Sequence, residues 1–97
     1  IMPSADLPLR FADHLRIQRR WHWNGRHYAR TCNAWLEKMD ANKDRIMPVF
    51  ADCYGEENAA LWWQRWRIFF MACAELFDCR GGNEWFVAHY LFRKGAR

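Results

Sequence analysis

Several hallmarks of common protein classes are missing from this sequence of 97 residues. No apolar run approaches the roughly 20 residues that a bilayer-spanning helix needs, so we expect no transmembrane segment. The first four residues contain neither a basic segment nor an apolar core, and they do not predict a signal peptide. Internal repeats and low-complexity tracts are also absent from the sequence.

Motifs of several catalytic and metal-binding classes are missing as well. The four cysteines form no CxxC pair, and no Cys/His set has zinc-finger spacing, so we expect buried, reduced thiols and no metal site. The one close glycine pair, Gly81-Gly82, stands between a helical and a strand pattern and predicts a turn rather than a nucleotide cradle. The sequence shows neither a Ser-His-Asp order nor a nucleophile elbow.

Apolar residues and positive charge are plentiful instead. With 52% hydrophobic and 18% aromatic residues, the chain is too apolar for a disordered tail and predicts one folded unit over residues 1–97. The net charge of +4 comes from residues 1–30, because residues 31–97 contain nine charges of each sign. This asymmetry favours an anionic partner near the first third of the chain, with phospholipid headgroups, nucleic acid and a phosphorylated ligand as alternatives.

The first third of the chain predicts a weak helix followed by a strand. Ser4 can cap the helix, which should end near Asp13. Over residues 15–23 the hydrophobic period changes to two, which predicts a strand that the turn signal Asn24-Gly25 ends. The alternation assigns the following residues to one face: Leu15, Ile17, Arg19, Trp21 and Trp23.

The rest of the chain predicts two long helices and a second strand. The first helix spans about residues 26–54 and is kinked near 42–48, where a polar stretch and Pro48 interrupt it. The second spans about residues 56–78 and has a broad apolar face. The strand over residues 84–92 is apolar on both faces, which is typical of a covered strand. Because two strands make a marginal sheet, this pattern suggests the end of a larger α/β domain.

A basic and aromatic strand is also a candidate surface for nucleic acid, with arginines on phosphates and tryptophans stacked on bases. However, the alternation places Trp21 and Trp23 on the face opposite Arg16 and Arg20. This separation is typical of a half-buried strand, and we therefore expect no nucleic-acid partner.

One segment of the sequence resembles a known motif. Residues 25–35, GRHYARTCNAW, resemble the HYxRTxxxW segment of the cyclopropane-fatty-acyl-phospholipid synthase family of S-adenosylmethionine-dependent methyltransferases. Residues 69–77, FFMACAELF, resemble the YLxxCAxxF helix of that family, and residues 85–94, WFVAHYLFRK, resemble its closing strand. With residues 2–4, which resemble a stretch before the penultimate strand, these matches extend over nearly all of the chain.

The resemblance implies an α/β fragment, the C-terminal part of a class I methyltransferase with a Rossmann-like fold. The two predicted strands would be antiparallel, and the final strand would insert between the penultimate strand and the rest of the sheet. The glycine-rich cofactor motif of the family and its other bicarbonate ligands would lie upstream of Ile1. We therefore expect residues 1–97 to bind no cofactor and to be inactive alone.

The resemblance also assigns a catalytic role to Tyr28. In the family, the tyrosine of this motif helps to hold a bicarbonate ion, which acts as general base after methyl transfer. Periodicity alone places Tyr28 instead at the start of a core stripe with Cys32 and Trp35. We expect His27, Cys32 and Trp35 to line the substrate site. Cys32 stands where the family more often has leucine.

These implications define a specific hypothesis for the parent protein. It would add a methylene or methyl group to unsaturated acyl chains of phospholipids, with S-adenosylmethionine and bicarbonate as cofactors. Its partners would be phospholipid acyl chains and an anionic membrane surface, and its location the cytoplasm at the inner membrane face. The apolar final strand favours a homodimer. The alternative is a small noncatalytic binding or oligomerisation domain derived from the same fold.

Overall fold

The computed structural model describes residues 2–95. Its regular elements are, in chain order, strand β1 (Leu15–Asn24), helices α1 (Gly25–Ala41), α2 (Lys43–Tyr54) and α3 (Ala59–Gly82), and strand β2 (Phe86–Lys94). The two strands pair in antiparallel orientation, and the three helices connect them. The predicted α/β class, the two strands separated by helices and the antiparallel strand orientation are therefore confirmed.

The predicted first helix is wrong. Between Ser4 and Asp13 the structure contains only a short 3-10 turn, Leu7–Arg10. The Ser4 hydroxyl donates to the Asp6 carboxylate at 2.7 Å instead of capping a helix. Every residue from 9 to 14 is exposed, so this stretch has no apolar face to pack, and a helix this short is unstable without one.

The predicted kinked helix over residues 26–54 consists of two helices that meet at Asn42. The Asn42 side-chain amide donates to the carbonyl of Lys38 at 2.8 Å, and its backbone N–H reaches the carbonyls of Lys38 and Met39 at 3.1 Å. Pro48 lies inside α2 without ending it. The break is therefore set by the polar stretch at the start of the predicted kink, not by the proline.

The last helix agrees with the prediction at its C-terminal end. The regular conformation of α3 ends at Asp78, because Cys79, Arg80 and Gly81 have non-helical backbone angles. Arg80, Gly81 and Gly82 all have positive φ, at 52°, 68° and 82°. The predicted turn at the glycine pair is therefore present. At the other end, a 3-10 turn over Glu56–Asn58 precedes α3.

A β-bulge at Gln18 changes which residues of β1 share a face. The register pairs Ile17 with Phe92 and Arg19 with Leu91, and it skips Gln18. Directly paired residues point to the same face and neighbours on β2 alternate, so Ile17 and Arg19 lie on opposite faces. The common face predicted for five alternate residues of β1 is therefore wrong, because the first two and the last three are on different sides.

The two faces of the sheet have different covers. On one face, Trp85 and Val87 pack against the core formed with the helices. On the other, the Arg20 guanidinium and the Tyr90 hydroxyl donate to the carbonyl of Ala5 at 3.4 and 2.5 Å. The predicted cover on both faces of the final strand is thus present along part of its length. Within residues 2–95, β2 has a strand partner on one edge only.

The buried core is small for a chain of this length. Its cluster lies between α1 and α3 and contains Ala29, Cys32, Ala74 and Phe77. The radius of gyration is 17.8 Å, whereas a compact chain of this length would have about 12.5 Å. Many large apolar side chains are exposed. Such an extended shape with a thin core is typical of one portion of a larger domain. No helix within residues 2–95 has the length and hydropathy of a membrane span.

Candidate functional site

The candidate site begins where β1 passes directly into α1. Asn24, the last residue of β1, caps α1, because its side-chain oxygen accepts a hydrogen bond from the backbone N–H of Arg26 at 2.9 Å. Gly25 is buried, and a Cβ there would collide with the carbonyl oxygens of Phe77 and Trp85. Only glycine therefore lets the first turn of α1 approach the end of α3 and the start of β2 this closely.

The same asparagine also holds the turn that follows α3. Its side-chain amide nitrogen donates to the carbonyl of Gly81 at 3.1 Å and to the side-chain oxygen of Asn83 at 3.4 Å. A Cβ on Gly82 would collide with the Asn24 side chain. We call Asn24, Gly25, Gly81 and Gly82 the junction. It joins both strands, the start of α1 and the end of α3.

Tyr28 lies in the first turn of α1, next to the junction, and is half-buried. Its ring packs edge-on against Phe77, with 4.6 Å between ring centroids, and against Trp35 at 6.0 Å. Burial raises the pKa of Tyr28, and the neighbouring thiols of Cys32 and Cys73 raise it further. The phenol therefore stays protonated near neutral pH and can donate a hydrogen bond. Tyr28 is thus both the first member of the predicted core stripe and a partly accessible polar group.

The predicted lining residues occupy three different environments. Cys32 is completely buried behind Tyr28, so in this structure it is a core residue. Burial raises the pKa of its thiol, and Cys73 adds to the effect. His27 is exposed and meets the edge of Trp23, with 5.8 Å between ring centroids. Trp35 is 45% exposed. The structure therefore brings Tyr28 and Trp35 together at the surface and places Cys32 beneath them.

The expectation of buried thiols holds for only part of the set. Cys32 is buried and Cys73 is half-buried, whereas Cys53 and Cys79 are exposed. Cys53 is exposed because it lies on the outer side of α2, and Cys79 because it follows the last regular turn of α3. All four are free thiols.

A groove lined largely by aromatic side chains lies next to Tyr28, which contacts its wall residue Trp35. Trp35 contacts Phe70 of α3 at 5.9 Å between centroids, and Phe70 contacts Trp66 at 6.0 Å. These rings form one wall of a groove of about 390 Å³ between α1, α2 and α3. The apolar residues that line this aromatic groove are Trp35, Met39, Ile46, Phe50, Trp66 and Phe70. Its chemistry suits an aromatic or aliphatic group with few polar atoms.

Sequence reasoning missed the contribution of α3 to this groove. The broad apolar face predicted for the second helix includes Trp66 and Phe70, and their spacing of four residues places them side by side. A second groove of about 580 Å³ lies between α1 and α3. Its walls include an ion pair between Arg26 and Asp78 at 3.4 Å. Because this second groove has charged walls of both signs, the aromatic groove is the better candidate for an apolar substrate.

The described residues do not form a nucleotide cradle. Such cofactors lie against a glycine-rich turn that follows a strand, whereas Gly81 and Gly82 follow a helix and are closed by Asn24. Within residues 2–95, no group of three His, Cys, Asp or Glu side chains could hold a metal ion. What this part of the molecule offers is therefore an aromatic surface with one protonated phenol at its end.

Comparisons with known proteins identify relatives of one kind. No protein-family model matches the chain. It is 35% identical over 96 residues to (S)-coclaurine N-methyltransferase of Thalictrum flavum subsp. glaucum, and 35% identical over 94 residues to the protein of the same name in Papaver somniferum. These alignments include 97% and 96% of this chain but 27% of each relative. The chain thus spans about a quarter of the length of these relatives.

A solved structure shows the same similarity in three dimensions. The crystal structure of coclaurine N-methyltransferase bound to N-methylheliamine and SAH matches 97% of this chain with a TM-score of 0.76 and 38% identity. The match includes 28% of that protein. The chain therefore has the fold of the C-terminal part of a class I methyltransferase, as predicted. The relatives are named as N-methyltransferases, and their names give no support to the cyclopropane synthase family or to acyl lipids.

Proposed function

We propose that this chain is part of an S-adenosylmethionine-dependent methyltransferase that methylates an amine nitrogen of an aromatic substrate. The observation that supports this most directly is the match to the N-methyltransferase structure bound to N-methylheliamine and SAH, at 38% identity along 97% of the chain. The described residues form no nucleotide cradle, so the proposal places the cofactor site in the remaining part of the protein. S-adenosylmethionine would supply the methyl group there and leave as SAH.

The aromatic groove supports an aromatic acceptor. Trp35, Trp66 and Phe70 present ring edges and faces that can pack against a planar group, and edge-to-face contacts favour such pairs beyond simple burial. Each 100 Å² of apolar surface that the groove removes from water would contribute about 2.5 kcal/mol before the costs of association. Tyr28 lies outside the lining of the groove and contacts it through Trp35, and in this proposal its hydroxyl donates a hydrogen bond to one polar substituent of the substrate.

The same surroundings favour the reactive form of an amine. Methylation requires a nitrogen with a free electron pair, which an ammonium ion lacks. Burial in apolar surroundings disfavours the charged form and lowers the pKa of an amine. The aromatic groove is lined by Trp, Phe, Met and Ile side chains and by Lys38, whose positive charge also disfavours an ammonium ion beside it.

A second candidate acceptor is an unsaturated phospholipid acyl chain, with bicarbonate as the general base. Its support is the resemblance of residues 25–35 to the lipid methyltransferase motif, together with the chemistry of Tyr28. A tyrosine phenol is protonated near neutral pH and burial raises its pKa further, and a protonated phenol is a suitable donor to a bicarbonate ion. The two candidates share a methyl donor and differ in whether nitrogen or a carbon–carbon double bond accepts the methyl group.

Competing acceptors offered to the full-length protein test the proposal. We would supply S-adenosylmethionine with a labelled methyl group and either a secondary tetrahydroisoquinoline amine or vesicles of unsaturated phospholipid, with and without bicarbonate. Label in the amine product supports the proposal, whereas bicarbonate-dependent label in lipid supports the second candidate. Binding of either acceptor without transfer of label would favour the noncatalytic alternative. Trp66→Ala, which removes one wall of the groove, should raise KM for the amine more than it lowers kcat.

A further inference from the structure

We infer that Asn24 is a positioning residue, which sets the location of the Tyr28 hydroxyl by tying the first turn of α1 to the turn that follows α3. The inference rests on the proposed function, in which Tyr28 meets the substrate. It adds a residue that the motif in residues 25–35 leaves out, because Asn24 precedes that segment. Asn24 does not reach the aromatic groove itself and would act only through Tyr28.

Asn24 uses both ends of its side-chain amide. The oxygen accepts from the Arg26 N–H at 2.9 Å and caps α1. The nitrogen donates to the Gly81 carbonyl at 3.1 Å and to Asn83 at 3.4 Å. An ordinary helix cap needs only an oxygen, and serine, threonine and aspartate provide one equally well. The amide nitrogen therefore has a separate task, which is to hold the turn after α3.

That turn needs to be held because its backbone is unusual. Arg80 has a φ of 52°, in the left-handed region that residues other than glycine rarely adopt. Two further residues with positive φ follow it, Gly81 and Gly82. Hydrogen bonds from the Asn24 side chain to the Gly81 carbonyl and from the Asn83 side chain to the Arg80 carbonyl, both at 3.1 Å, hold the first two of these three residues in this conformation.

The turn is coupled to Tyr28 by close packing on both sides. Phe77, in the last regular turn of α3, packs its ring against Tyr28 at 4.6 Å between centroids, and its carbonyl oxygen lies against Gly25. Gly82 lies against the Asn24 side chain with no room for a Cβ. A shift of the turn would therefore move the end of α3 relative to the start of α1. The Tyr28 ring, which projects from α1 against Phe77 of α3, would then change position.

Two substitutions separate the helix-capping role of Asn24 from its hydrogen bond to Gly81. Asn24→Asp and Asn24→Ser both keep an oxygen that can cap α1, and both remove the amide nitrogen that donates to Gly81. One adds a negative charge and the other does not, so a shared effect is due to the lost donor. Asn58→Asp is the matched control. The Asn58 amide nitrogen donates to the Tyr54 carbonyl at 3.0 Å, between α2 and α3 and away from the junction.

We expect both Asn24 variants of the full-length protein to lose kcat for the amine by about ten- to a hundredfold, the range typical of a small misplacement of a reacting group. KM for S-adenosylmethionine should stay within about twofold, because residues 2–95 form no cradle for it. The pKa of Tyr28, followed by nuclear magnetic resonance of ring-labelled tyrosine and assigned with Tyr28→Phe, should fall toward its ordinary value as the ring gains solvent. Asn58→Asp should change neither quantity.

Retention of wild-type kcat and of the raised Tyr28 pKa in both Asn24 variants would overturn the inference. A large loss of thermal stability with an unchanged Tyr28 pKa would do the same, because Asn24 would then be only a helix cap. If the wild-type protein methylates no amine, the proposed function fails, but the Tyr28 pKa still decides whether Asn24 positions it. The two failures are therefore distinguishable.

Discussion

Replacement of Gly25 by alanine tests the close packing of the junction most directly. The added Cβ would meet two carbonyl oxygens, those of Phe77 and Trp85, and a third, that of Gly82, at 3.2 Å. All three oxygens belong to backbone, so none can rotate away as the end of a side chain could. The φ of Gly25 is not positive, and the backbone itself would tolerate alanine. The expected penalty is therefore steric.

The size of the penalty follows from two opposing terms. Overpacking of a tightly packed site costs about 1–3 kcal/mol, and two simultaneous backbone collisions place Gly25→Ala toward the upper part of that range. Alanine restricts the unfolded chain more than glycine does, which returns about 0.5–1 kcal/mol. The net loss should be about 2 kcal/mol. In a domain of about 150–250 residues, each kcal/mol lowers Tm by about 2–4 °C.

Chemical and thermal unfolding of the full-length protein, followed by tryptophan fluorescence, would measure this loss. Gly95→Ala is the matched control, because among residues 2–95 a Cβ there would meet the His14 carbonyl alone, at an ordinary 3.8 Å. That variant should stay within about 0.5 kcal/mol of the wild type. Equal stability of Gly25→Ala and Gly95→Ala would refute the close approach of α1, α3 and β2 and with it the geometry on which the Tyr28 argument depends.

Three further predictions concern single groups and the open strand edge. Tyr28→Phe should lower kcat by tenfold or more, a barrier change of about 1.4 kcal/mol per factor of ten. The pKa of Tyr28 is raised in the folded protein, so its contribution to stability is present below the ordinary value of 10.0 and is lost as pH rises through the folded pKa. The Phe variant should therefore lose less stability in alkali than the wild type. Hydrogen bonds from the Arg67 guanidinium, at 2.7 and 3.1 Å, lower the pKa of Asp40. The stability that this pair provides is therefore present above the ordinary value of 3.8 and is lost in acid. Urea titrations at several pH values should show a weaker acid dependence for Asp40→Asn than for the wild type. Residues 1–97 alone should self-associate through the open edge of β2, and sedimentation equilibrium that finds a folded monomer at millimolar concentration would contradict this.

Local periodicity predicted the elements whose packing is local in origin. The stripe of α1, the apolar face of α3 and the existence of both strands follow from patterns within single elements, so the sequence shows them directly. The glycine pair at 81–82 predicted the end of α3 for the same reason, because positive φ is a property of one residue and its neighbours.

The sequence did not predict the features that depend on contacts between two or more elements. The bulge at Gln18 appears only when β1 is aligned with β2, and no residue type near it predicts a skipped position. The role of Asn24 was also hidden, since its turn signal is explained equally well by a plain strand end. Its amide nitrogen bonds to Gly81, which is 57 positions later. The aromatic groove likewise needs α1, α2 and α3 together before Trp66 and Phe70 can be assigned to it.

The chemistry of the methyl acceptor was the hardest property to predict, and the structure indicates why. The motif around Tyr28 lies where β1, α1, α3 and β2 meet, and the constraints on Asn24, Gly25 and Phe77 are those of packing. Such constraints are the same whether the acceptor is a nitrogen or a double bond. We expect selectivity between acceptors to come instead from the groove walls, where Trp66 and Phe70 lie outside the junction. Motifs at the junction therefore predict a methyltransferase fold, and in the proposed function residues of the groove would determine what is methylated.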